Sequence, residues 1–151
     1  MYEGLGQAGL RTRLEFRHAE ADDDSSSWVT PERLAEADIA FAYVDASACP
    51  ASEVLDVLAA QLRTDNPPYD ISKTGWMRFM DDLETLAYRR AGLVIVVDNA
   101  AGLFSDRRSW GFDLLKWWTM QIWHWAKQDR PCQLCFQMDN YSAVGQLYAP
   151  R

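Results

Sequence analysis

The chain has 151 residues, with 15 Lys and Arg against 22 Asp and Glu and a formal net charge of -7. That balance argues against a nucleic-acid binder, which needs a basic face to neutralise phosphates, and against approach to an anionic membrane. The charged partners of such a chain are basic ones. With 48% hydrophobic residues and only 8 Gly and 6 Pro, the composition is that of a globular protein, and the length suits one domain burying roughly 68–70% of its unfolded surface.

Met1-Tyr2-Glu3-Gly4-Leu5-Gly6 carries an acid and two glycines where a signal peptide needs positive charge and then an apolar stretch. The longest apolar run, Ala91 to Val97, is far short of the roughly 20 residues of a spanning helix. A soluble, cytoplasmic protein is expected. Three cysteines, an odd number, fit a reducing compartment better than a disulfide framework.

Residues Leu10 to Arg17 alternate apolar or Thr with charged side chains, the pattern of a strand at a sheet edge. Ala21-Asp22-Asp23-Asp24-Ser25-Ser26-Ser27 follows as an acidic linker that has no apolar surface to bury. Ile39 to Val44, ending at Asp45, is a nearly continuous apolar run typical of a strand covered on both faces. Val54, Leu55, Leu58 and Leu62 then make an apolar stripe on a helix from about Pro50 to Arg63, which Asn66-Pro67-Pro68 stops.

A second helix runs from Ser72 or Thr74 to Arg89, with Trp76, Phe79, Met80, Leu83, Leu86 and Ala87 inward and Met77, Arg78, Asp81, Asp82 and Glu84 outward. Leu93 to Val97 is a second buried strand, closed by a turn at Asp98-Asn99 and Gly102. Ser105 or Asp106 caps a long helix to about Gln128, and Cys132 to Met138 forms a third short strand. Strands separated by crossover helices give a parallel sheet. The expected fold is therefore α/β, a small three-stranded parallel sheet with flanking helices and room for an extra N-terminal edge strand.

Residues 38–138 read in this order resemble the barstar family, the small inhibitors of barnase-type ribonucleases. The resemblance rests on four stretches: Val44-Asp45 leading to a helix near Pro50, Gly75 to Leu86, Leu93 to Val97, and the Trp-rich helix followed by Gln133-Leu134-Cys135-Phe136. It divides the chain into an N-terminal extension (1–37), a barstar-like domain (38–140) and a tail (141–151). In that family the second helix and the loop before it plug the nuclease active site, with acidic side chains standing in for RNA phosphates.

Carried over by position, Asp81 matches the central inhibitory aspartate, with Asp82 and Glu84 beside it and Tyr69, Asp70 and Met77 flanking. Gly75, Met77 and Met80 depart from the family pattern. The resemblance implies a non-enzymatic immunity protein or antitoxin without cofactor, which occludes the active site of a cognate secreted toxin, either a ribonuclease or a toxin of another kind. Without it, the acidic cluster reads as a solvated helix face. No histidine or nucleophile stands near it in the pattern for catalysis.

Other features have plainer readings. Cys132 and Cys135 have redox or zinc spacing but lack a second pair, and on a strand they point to opposite faces, so both read as core cysteines. Cys49 has no His partner, and His18 and His124 are too far apart in sequence to suggest a metal site. Trp110, Trp117, Trp118, Trp123 and Trp125 cannot share one helix face. Gly111, Leu114, Leu115, Trp118, Ile122 and Trp125 form the core stripe, which leaves Phe112, Trp117, Met120 and Trp123 to a second cover. That cover is the N-terminal extension or tail, a homodimer, or another partner. An alternative function is thus a small-ligand or protein-interaction module using this helix. Asp98-Asn99, at the end of a parallel strand, stands where α/β proteins place ligand groups, but without a Gly-rich loop it reads as a turn.

Overall fold

The computed structural model describes residues 13–17, 30–128 and 130–138. Strand β1 (Arg13–Arg17) is followed by α1 (Pro31–Glu36), β2 (Ile39–Asp45), α2 (Val54–Leu62), α3 (Lys73–Arg89), β3 (Gly92–Asp98), a 3-10 turn at Ala100–Ser105, α4 (Trp110–Lys127) and β4 (Cys132–Gln137). The strands form one parallel sheet in the order β1-β4-β3-β2. The α/β class holds, and the sheet has four strands rather than three. The fourth is β1, which lies beside β4 with Leu14 opposite Leu134 and Phe16 opposite Phe136. Residues 10–12, the acidic linker and the tail at 141–151 lie outside the described residues.

Local chemistry sets the element ends. Thr30 caps α1 by accepting from the Arg33 N–H at 3.2 Å, and Pro31 occupies the first turn, where its missing N–H costs nothing. Helix α2 begins at Val54 rather than Pro50. The residues before it form tight turns, with the N–H groups of Ala48 and Cys49 both on the Asp45 carbonyl and that of Glu53 on the Pro50 carbonyl. Ser72 caps α3 through the Gly75 N–H at 3.2 Å. Gly75 itself is required, since a Cβ there would lie 1.7 Å from the Asp70 carbonyl oxygen. Helix α4 starts at Trp110 instead of Ser105 or Asp106. Asp106 spends its side chain on an Asx turn with the Arg108 N–H, 2.9 Å, and Ser105 closes the 3-10 turn onto the Gly102 carbonyl.

The sheet has two different faces. One carries rows such as Ala42, Ile95, Leu134 and Leu14, or Val44, Val97, Phe136 and Phe16. Against it pack the buried sides of α2, α3 and α4, including Leu58, Phe79, Leu83, Trp118 and Trp125, in one core cluster. Right-handed crossovers from β2 to β3 to β4 put these helices on the same side. Strands β1 and β2 lie at opposite edges of the sheet, and the one buried side chain of α1, Leu34, stays outside that cluster. The second face presents Tyr43, Val96 and Cys135 in one row and Asp45 opposite Asp98 at its C-terminal rim. Cys132 and Cys135 are both buried and face opposite sides. Among the described residues no helix is long and apolar enough to cross a membrane.

Candidate functional site

Open parallel sheets bind ligands outside the C-terminal ends of their strands, beside the point where the connections reverse. Here that rim carries Asp45, Asp98, Gln137 and Arg17, one from each strand. Asp98 is 2% exposed. The Tyr43 hydroxyl donates to its Oδ2 at 2.6 Å, and the Asn99 N–H donates to its Oδ1 at 2.9 Å. Burial pushes the Asp98 carboxyl above the usual carboxylate range despite these two donors. It likewise pushes the Tyr43 phenol well up, reinforced by the Asp98 bond.

Asn99 sits in the left-handed region at φ 53 and donates through Nδ2 to Asp45 Oδ1 at 3.0 Å. The Ser47 N–H and hydroxyl donate to that same oxygen at 2.9 and 2.6 Å. Burial raises the Asp45 carboxyl, but the donors from Ser47 and Asn99 outweigh it and hold the group below its ordinary value. The rim is thus a closed network in which two carboxylates are held by neighbouring donors. Gln137 and Gln133 on β4 are buried, and among the described residues neither amide has a hydrogen-bond partner.

The residues expected to contact a partner lie on α3 and the loop before it, away from this rim. Asp81, Asp70 and Met77 are exposed. Asp70 accepts from the Ser72 hydroxyl at 2.7 Å. Tyr69 is buried at 2% exposure, edge-on to Phe79, and its hydroxyl donates to Asp82. Burial and that bond push its phenol up to about 12. Asp82 also accepts from Asn66 Nδ2 at 2.9 Å, so it anchors the 64–69 loop to α3. Glu84 pairs with His124 Nε2 at 2.7 Å and ties α3 to α4. Of the six positions, the structure brings Tyr69 and Asp82 together in one contact and directs Glu84 to another helix.

The sequence reading overlooked Tyr43, which meets Asp98 from 55 residues away and belongs to no local motif. The available signal was a tyrosine, with its polar hydroxyl, in an otherwise apolar strand, two residues before an acid. The acid at the end of β3 was visible, but the network that occupies it was not.

Searches against family models and curated proteins give no match. Solved structures do. The chain is similar to the ORC2 protein of Aeropyrum pernix in its ADPNP-ADP complexes, with a TM-score of 0.52, 14% identity and 91% of this chain covered. For the ADP form the TM-score is 0.56, with 15% identity and 97% of this chain covered. The fold resembles part of ORC2. The chain spans 38% and 40% of the length of those two structures. At this identity the likeness concerns the fold alone. It overturns the kinship with barstar, and with it the reading as an immunity protein, antitoxin or ribonuclease inhibitor. The four stretches that had suggested that family are short and sit on a strand–helix alternation shared by many α/β proteins.

Proposed function

We propose that this chain is a non-hydrolysing domain on an ORC2-like sheet, one that acts through what its surface binds rather than through turnover. The observation that carries this reading is the state of Asp98. A carboxylate at the end of a β-strand in nucleotide-phosphate sites must be open to a metal ion and its water. Here it is buried, biased toward its protonated form and already bonded to Tyr43 and Asn99.

The sequence supports the same reading. Nowhere does it contain the G-x-x-x-x-G-K-[ST] loop whose amides and lysine cradle phosphates. The segment between β1 and α1, where a strand–loop–helix cradle belongs, has neither Gly nor Lys and carries Asp22-Asp23-Asp24, which repel a triphosphate. The test is phosphate release from MgATP by the full chain. The expected result is a rate equal to that of Asp98→Asn; Mg-dependent release that this substitution abolishes would overturn the proposal.

A further inference from the structure

Helix α4 buries Trp110, Gly111, Leu114, Trp118 and Trp125 against the sheet. Its opposite side carries a stripe of four residues at helical spacing: Lys116, Met120, Trp123 and Lys127. Trp123 is 72% exposed and Met120 61%, the two most exposed large apolar side chains among the described residues. Each lysine lies over an indole, Lys127 above Trp123 and Lys116 above the half-buried Trp117, both with Nζ 5.6 Å from the ring centroid. Among the described residues neither lysine has a carboxylate partner. The nearby Glu84 is already taken by His124.

We propose that this stripe docks an acidic amphipathic helix of another protein, whose apolar side covers Met120 and Trp123 and whose carboxylates meet Lys116 and Lys127. Charge selects this occupant. A second copy packing antiparallel about a two-fold axis between Met120 and Trp123 sets Lys116 of one chain against Lys127 of the other, a like-charge contact at each end. An anionic bilayer meets the whole molecule, whose net charge of -7 repels it. A single acidic helix centred on Met120 and Trp123 meets Lys116 and Lys127 on either side, with Asp113 a turn beyond Lys116 at the end of the stripe, and the exposed Trp and Met supply the desolvated centre that such grooves use. This inference deepens the reading of the chain as a binding domain, and its test is independent of ATP turnover. Phosphate release from MgATP removes that reading and leaves the titration below to stand or fall by itself.

The test is fluorescence anisotropy of the full chain with two labelled helical peptides of roughly 18 residues, long enough to hold a helix on the surface. Both carry one leucine stripe, flanked in one by Glu and in the other by Lys. The Glu-flanked peptide binds saturably and the Lys-flanked one about tenfold more weakly, a preference that the charge reversals Lys116→Glu and Lys127→Glu together invert. Trp123→Ser, at an exposed position, removes binding while circular dichroism stays unchanged. Equal affinity for both peptides, or saturation by neither, overturns the proposal. So does a wild-type dimer, or adsorption to phosphatidylserine vesicles, that Trp123→Ser abolishes.

Discussion

Asp98 has two donors, yet it remains a carboxyl group removed from water. Desolvation favours its protonated form, and the Tyr43 and Asn99 bonds only partly restore the charged one. Its folded-state pKa is therefore raised, so the native protein holds this proton more tightly than the unfolded chain does. The resulting stability is fully present below the ordinary carboxylate pKa and is lost as pH rises through the raised value. Urea midpoints taken from about pH 4 to pH 8 fall with pH for this group, and Asp98→Asn flattens the fall; an equal decline in the variant places the loss at another residue. Tyr43→Phe leaves a buried carboxylate oxygen unpaired and costs about 1–3 kcal/mol by the same measurement. The acid could be read in the sequence, because an aliphatic strand ending in Asp is a local pattern. Its burial and its tyrosine partner could not, since the partner is fixed by strand register.

Helices and strands follow from short-range periodicity, and here they were largely legible. The inward residues expected of α3, from Trp76 to Ala87, are all buried in the structure, which adds Gly75 to them. Strands β2, β3 and β4 lie within a residue of their expected bounds. The misses come from contacts that compete with periodicity. Helix α1 was overlooked because six residues with one buried side chain carry no apolar stripe, although Thr30-Pro31 is a start signal. Two substitutions test what holds the elements in place. Gly75→Ala drives a methyl into the Asp70 carbonyl and destabilises by about 1–3 kcal/mol or more in urea, with loss of the tight entry to α3. Gln61 donates to the Tyr43 carbonyl at 2.7 Å and accepts from its N–H at 2.8 Å, closing the outer edge of β2 as a neighbouring strand would. Gln61→Ala frees both groups at an edge and costs about 1–3 kcal/mol; an unchanged midpoint refutes that role.

At the scale of the whole molecule the sheet order β1-β4-β3-β2 makes β4 one of two inner strands, between β1 and β3. That position buries Gln133 and Gln137 without giving their amides a partner among the described residues. Gln133→Met keeps the volume and removes the unpaired amide, so it stabilises by about 1–3 kcal/mol; a lower thermal midpoint in the variant reveals that the amide is in use. The second aromatic side of α4 divides along the same lines. Phe112 packs edge-on against Phe104 at 5.2 Å, whereas Met120 and Trp123 stay in solvent.

The sequence by itself determined the α/β class, the succession of strands and helices and most of the buried positions, because the period of apolar residues is local and survives any arrangement of the elements. Only the tertiary structure decided which strand lies beside which, that the likeness is to ORC2 and not to barstar, and that Tyr69, Asp82 and Glu84 are engaged within the chain. Those outcomes depend on pairings between residues far apart in sequence and on how much water is left around them, and neither is written in any short stretch of the chain.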